Sequence, residues 1–266
     1  MTDVHHAAQQ GFSTQADTYA QGRPDYPPAL KDWLRDALLP GSGAAVIDLG
    51  AGTGKFTRLL DAIGAEVIAV EPVAKMGEQL LAQLPHIKLL SGTAQAIPVD
   101  SGTAQALVCA QAFHWFATEA ALAEIHRVLQ PGGRLGLVWN VRDEAQDWVA
   151  RLTDIVTPYE GDTPRFHTGQ WRQAFNGRYF SEPQLSQFQY RHVGSPQTVI
   201  IDRFMSVSFI ASLPEAEKAK VTAQLHDLID THPALRGKAT IEMPYFTQAY
   251  VCQRVDWPGI GRDTVR

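Results

Sequence analysis

The stretch Val46-Ile47-Asp48-Leu49-Gly50-Ala51-Gly52-Thr53-Gly54 limits the possible folds more sharply than any other part of the chain. Its apolar run, 44–50, is too short for a buried helix and is bounded by glycines, so it reads as a buried strand. Phe56, Leu59, Leu60 and Ile63 then carry the i, i+3, i+4, i+7 stripe of an amphipathic helix that stops at Gly64. The alternation continues. Strands are expected at 66–72, 87–92, 106–113 and 134–140, with helices around 74–84 and from Leu122 to Leu129 between them. Strands separated by helices pair in parallel, and right-handed crossovers cover both faces of the sheet. The expected fold class is therefore α/β, a doubly wound and mostly parallel sheet. Such a sheet binds its ligand beyond the carboxyl ends of the strands.

A helix at 28–39, stopped by Pro40-Gly41, precedes the first strand. The second half reads differently. Segments 145–157 and 166–176 look helical, and 185–193 alternates weakly, as an edge strand would. Ser212-Leu213-Pro214-Glu215 has the form of a capping box opening a helix that runs through Ile229. A last strand within 239–255 carries Pro244, which suggests that a bulge or an edge breaks it. No low-complexity linker divides the chain, so one domain is expected over 1–266. It comprises a cap segment 1–40, a binding core 41–140, a helical lid with the last strands 141–256, and a tail 257–266.

The net charge of −5 and the lack of a basic run argue against a nucleic-acid partner, which needs clustered Lys and Arg. No apolar run reaches the ~18 residues of a membrane span. The N-terminus lacks a basic and an apolar region, so it is not read as a secretory signal. Cys109 and Cys252 match no metal spacing, and no metal is expected. A cytoplasmic enzyme fits this profile.

Glycines between a strand and a helix allow backbone to pass close to a ligand, and the helix N-terminus there suits an anion. Glu71 stands 21 residues after Gly50, where an acid can accept hydrogen bonds from a ribose. A dinucleotide fingerprint requires glycine where this chain has Lys55. A phosphate-binding P-loop requires glycine where it has Leu49, and Ser or Thr where it has Phe56. The remaining spacing is G-x-G-x-G.

That spacing, with Glu71, resembles the class I S-adenosylmethionine (SAM)-dependent methyltransferases. The likeness extends through VEP (70–72), SGTAQAIP (91–98), QAFHWF (111–116) and LQPGGRLGLVW (129–139), in order along the chain. FSTQADTYAQGRPDYP (12–27) resembles the N-terminal segment of a small-molecule group that includes trans-aconitate, cantharidin and toxoflavin-pathway methyltransferases. The resemblance covers residues 12–140 well and 141–266 only in general plan. It implies a Rossmann-like, seven-stranded sheet, SAM as cofactor with S-adenosylhomocysteine as product, and a small-molecule acceptor methylated on oxygen or nitrogen.

By the same resemblance, Gly50, Gly52, Thr53 and Gly54 would lie under the methionine part of the cofactor, with Asp48 near its ammonium and Glu71 on the ribose. Met76 would pack on the adenine, Thr93, Ala94 and Gln95 would line its edge, and Gln111 would close the site. Tyr19 and Arg23 would meet the methionine carboxylate or the acceptor. On the acceptor side, His114 is either a base or a pocket wall, with Trp115 beside it. Tyr26, Trp139, Trp171, Phe175 and Tyr245 are candidates for the substrate pocket. Arg172, Arg178 and Arg203 are either carboxylate ligands or plain surface residues. Two other readings stay open at this stage: a SAM-binding module without turnover, and an NAD-dependent oxidoreductase.

Overall fold

The structure is a computed structural model and describes residues 23–39 and 43–256. Tyr19, the rest of the cap segment before Arg23, Pro40-Gly41 and the tail from Trp257 lie outside the described residues.

Among the described residues, seven strands form one sheet: β1 (Ala45–Leu49), β2 (Glu66–Val70), β3 (Lys88–Leu90), β4 (Ala104–Ala110), β5 (Leu129–Arg142), β6 (Gln184–Gly194) and β7 (Ile241–Gln253). Their order is β3-β2-β1-β4-β5-β7-β6. Strands β1 to β5 pair in parallel, β7 runs antiparallel to β5, and β6 antiparallel to β7. The α-helices among the described residues are α1 (Leu30–Trp33), which continues as a π-helical turn (Leu34–Leu38), α2 (Thr57–Asp61), α3 (Ala74–Gln83), α4 (Glu119–Val128), α5 (Asp147–Val156), α6 (Arg203–Met205), α7 (Ser208–Ala211) and α8 (Glu215–Thr231). This is the doubly wound, mostly parallel sheet expected from the alternation, with the seven strands that the resemblance implies.

Successive strand residues point to opposite faces, and the buried residues divide accordingly. Ile47, Leu107 and Leu137 pack with Leu122 and Ile125 of α4 on one face. Val46 and Val108 pack with Leu30, Leu34, Leu60 and Leu80 of α1, its π-helical turn, α2 and α3 on the other. A third cluster joins Trp148 and Leu152 of α5, Phe204 of α6 and Leu225 of α8 to Met243 and Tyr245 of β7. The later helices are thereby fastened to the antiparallel end of the sheet.

Several boundaries depart from the periodicity. The fourth strand stops at Ala110 rather than at 113, because Gln111 has φ +59°, a left-handed conformation that no strand continues. Phe113–Trp115 then forms a 3₁₀ turn. The fifth strand starts early, at Leu129, since that residue is extended and pairs with Ala104. Segment 166–176 is not one helix but two 3₁₀ turns, Phe166–Thr168 and Gln170–Ala174, separated by left-handed Gly169 (φ +70°). The capping box at Ser212 does not form. Its hydroxyl instead donates to the Phe209 carbonyl (3.1 Å) as α7 ends, and α8 begins after Pro214. Strand β7 runs unbroken through Pro244, because pairing with β5 ends at Arg142–Tyr245 and only β6 flanks the proline.

Gly54 ties the loop after β1 to α3. It has φ +83°, and a Cβ there would lie 2.8 Å from Leu80 Cγ, inside the buried cluster. Gly54→Ala is expected to cost about 1–3 kcal/mol, as overpacking with backbone strain does, measured by chemical denaturation. A variant as stable as the parent would contradict this packing.

Candidate active site

The carboxyl ends of β1, β2, β4 and β5 converge on one edge of the sheet, where the loops leave the core. Gly50 and Ala51 N–H groups both donate to the Val70 carbonyl (2.8 and 3.3 Å), so the first turn of the glycine loop extends the β1–β2 ladder. Glu71 completes the hold. One carboxylate oxygen accepts from Gly52 N (2.8 Å), the other from Val73 N (2.9 Å), and the residue is only 8% exposed. Burial raises its pKa, while these two backbone donors pull the other way. Each oxygen retains a lone pair for a further donor. Gly50 also has a packing role, since a Cβ would meet Ala112 Cβ at 2.9 Å.

Asp48, at the end of β1, is fully buried. Its Oδ2 accepts from Thr57 Oγ1 (2.6 Å), while Oδ1 has no hydrogen-bond partner. Burial raises its pKa to about 7; Thr57 opposes the shift and Glu71 adds slightly to it. An unsatisfied carboxylate oxygen beside a cavity suits a cationic group.

Two cavities meet here. The smaller, of about 60 Å³, is bounded by Asp48, Gly50, Gly52, Thr53 and Tyr26. The larger, of about 230 Å³, is bounded by His114, Trp115, Trp139, Phe166 and several arginines. Arg23, Gln111, Asn140 and Arg203 line both. Gln111 reaches this shared position through its left-handed backbone, with its N–H held by the Val138 carbonyl (2.8 Å). Asn140 Nδ2 donates to the Asp25 carbonyl (3.0 Å) and its Oδ1 accepts from Thr247 Oγ1 (2.6 Å), which fastens the N-terminal segment to β5 and β7. Lys55 donates to the Arg23 carbonyl and pairs with Asp25 (3.4 Å).

His114 accepts through Nδ1 from Trp139 Nε1 (3.1 Å). Indole N–H is only a donor, so in the neutral imidazole the proton sits on Nε2. Burial, with Arg165, Arg23 and His167 nearby, pushes the His114 pKa down to about 3. The ring thus offers the cavity a hydrogen-bond donor, and neither nitrogen holds a free lone pair for a proton.

Not every candidate lines these cavities. Trp139 does, stacked on Phe166 (4.5 Å between centroids), but Trp171 and Phe175 stand behind that pair in the aromatic core. Tyr245 is buried in the cluster under the lid helices, its hydroxyl 3.3 Å from Met243 Sδ. Met76 is buried beside Gly52. Thr93 and Ala96 bridge a tight turn after β3 that holds Ala94 in the core and Gln95 at its tip. Glu124 and Arg127 fix the next residues by bonds to the Ile97 and Val99 backbone. Arg172 stacks on Trp171 and Tyr250, and Arg178 pairs with Glu119. Sequence reasoning missed Lys55, Asn140, Arg142 and Arg165. Asn140 and Arg142 carry a weak signal, their place at the carboxyl end of an expected strand; Lys55 and Arg165 carry none for this role.

The methyltransferase domain family matches residues 47–137, the span from β1 to β5. A methyltransferase-like protein of Schizosaccharomyces pombe is 36% identical over 91% of this chain and 95% of its own length. A methyltransferase of Mycobacterium tuberculosis is 39% identical over 91% and 94%. The chain belongs to this methyltransferase family. Among solved structures, a protein of Anaeromyxobacter dehalogenans assigned as a type II methyltransferase shares the fold, with TM-score 0.62, 22% identity, and 87% of this chain and 96% of that one covered. The enzyme is a SAM-dependent methyltransferase. Among its described residues, no helix is long and apolar enough to cross a membrane.

Were Asp48 to take a cation of the cofactor, its raised pKa would set a pH dependence of binding. Below about pH 7 the carboxyl is increasingly protonated in the free protein, so a cation must displace that proton to use Oδ1. Affinity for S-adenosylhomocysteine is expected to rise with pH from 6 to 8, by up to about tenfold per unit below the pKa. Calorimetry in buffers of different ionisation enthalpy should show proton release, and Asp48→Asn should abolish it.

A second titration concerns stability. The folded pKa of His114 lies below its unfolded value, so its contribution is present above about pH 6.5 and is lost as pH falls toward about 3. The stability of His114→Gln relative to wild type should therefore improve on acidification below 6.5, by up to about 1.4 kcal/mol per unit. Parallel stability curves for the two proteins would show instead that this histidine charges freely.

Proposed function

We propose that this enzyme transfers the methyl group of SAM to an oxygen or nitrogen atom of a small-molecule metabolite, working as one catalytic unit without a nucleic-acid partner. The observation that carries the reading is the junction of two cavities at Gln111 and Asn140, one beside the glycine loop and one walled by aromatic and basic side chains. A binding module without turnover has no need of the second cavity.

Asp48, Gly50, Gly52, Thr53, Gly54 and Glu71 would hold the cofactor, with Arg23 and Gln111 closing over it and Met76 and Thr93–Gln95 on its adenine side. When bound, SAM supplies an electrophilic methyl on a sulfonium. The orphan Oδ1 of Asp48 fits the cofactor's ammonium, and the spare lone pairs of Glu71 fit a diol. In-line transfer depends on alignment of the reactants. Trp115, Trp139 and Phe166 wall the larger cavity against water, and aromatic faces favour a cation. His114 acts through its Nε2–H, orienting the acceptor as a donor.

The test is calorimetric titration with SAM, S-adenosylhomocysteine and NAD on wild type and Glu71→Ala. Micromolar binding of the first two, weakened about tenfold or more in the variant, is expected, with none for NAD. Binding of NAD alone would overturn the reading.

A further inference from the structure

One wall of the larger cavity carries three guanidinium groups: Arg142 at the end of β5, Arg165 before the 3₁₀ turn at Phe166, and Arg203 at the start of α6. They come from three separate segments and are gathered by two aromatic rings. Arg142 and Arg203 lie 5.2 and 5.8 Å from the Phe204 centroid, and Arg165 lies 5.0 Å from that of Phe209. All three are withdrawn from water, with side-chain exposures of 13% for Arg142 and 21% for Arg165, and 7% for the whole of Arg203.

The negative charge beside them falls short. Glu160 pairs with Arg165 (3.1 Å) and is shared with His167 (3.6 Å). Glu144 lies 3.8 Å from Arg142, whose Nη2 also donates to Thr153 Oγ1 (3.0 Å). Nε and Nη1 of Arg203 and Nε of Arg142 are buried with no hydrogen-bond partner among the described residues. Mutual repulsion is felt as well. Burial first, then Arg203, lowers the pKa of Arg142, and burial leads the causes that bring Arg165 down to about 10. A cluster of buried, partly unpaired cations is unfavourable in itself. An oxyanion placed among them would satisfy those donors, and guanidinium forks match planar or tetrahedral oxyanions.

We infer that the methyl acceptor is a small organic anion whose carboxylate or phosphate group is bound by Arg142, Arg165 and Arg203. The inference rests on the reading of the larger cavity as the acceptor site. It excludes cationic acceptors, which this wall repels, and it disfavours neutral ones, which leave the buried donors unpaired.

The experiment titrates glutarate and glycerol 3-phosphate, with glutaramide and glycerol as neutral counterparts, into the S-adenosylhomocysteine-loaded protein by calorimetry. At least one anion is expected to bind and neither neutral compound. Arg142→Gln and Arg165→Gln, whose side chains line only the larger cavity, should each weaken anion binding about tenfold. Both variants should keep S-adenosylhomocysteine affinity within about twofold, which also reports that they fold, and Arg142→Lys should recover part of the loss. Binding of glutarate alone or of glycerol 3-phosphate alone identifies which oxyanion the wall takes. The inference is overturned if neither anion binds, if the neutral compounds bind as well, or if the variants lose cofactor affinity with anion binding unchanged. The last result would put the arginines on the cofactor's own carboxylate. Repeating the anion titration without cofactor separates these outcomes from a failure of the methyltransferase reading, which shows as no S-adenosylhomocysteine binding by the wild type.

Discussion

The two hydrogen bonds accepted by Glu71 fix the geometry on which the rest of the site depends. A loop of alternating glycines has little conformational preference of its own. Here it is tied at Gly52 to one oxygen of Glu71, while the other oxygen holds Val73 at the entry to α3. One buried carboxylate therefore sets the loop after β1 against the helix after β2. With the loop in place, Asp48 at the end of β1 is sealed behind it, bonded to Thr57 on one oxygen and unsatisfied on the other. Burial of both acids carries a desolvation cost, visible in their raised pKa values. A bound cofactor with a cation and hydroxyls would offset that cost.

The second organising constraint lies at the end of β4. Gln111 turns the chain out of the sheet with a left-handed backbone, and the 3₁₀ turn after it delivers His114 and Trp115 to the larger cavity. His114 is then locked by Trp139 from the neighbouring strand β5. With Nδ1 taken up by the indole, the neutral ring keeps its proton on Nε2. Sequence left His114 open between a base and a pocket wall, because the state of the ring depends on which atom of a neighbouring strand meets Nδ1.

Much of the core was legible. The apolar runs and helical stripes of residues 44–140 have different periods, and the two faces of each strand fill with residues that alternate as the pleat requires. Glu71 and the glycines stand out because strand ends and loop spacing are local. The lid was less legible. Gly169 splits an expected helix into two 3₁₀ turns, Ser212 closes one helix instead of opening the next, and Trp171 and Phe175 prove to back the cavity wall rather than form it. Aromatic side chains look alike in sequence whether they face a ligand or a core.

By itself, then, the sequence determined the class of sheet and singled out the glycine loop and Glu71 at the carboxyl ends of its strands, since each follows from short-range periodicity and spacing; that Glu71 holds the loop through Gly52 and Val73 is a tertiary fact. Only the tertiary structure decided the larger cavity. Arg142, Arg165 and Arg203 lie in three segments with no shared motif; Arg142 and Arg165 would pass for surface residues, and Arg203 was open between a surface residue and a carboxylate ligand. Packing of α6 and α7 brings Phe204 and Phe209 beneath them and turns them toward one cavity. Long-range contacts of that kind have no periodic signature, because the charges meet across the fold and not along the chain.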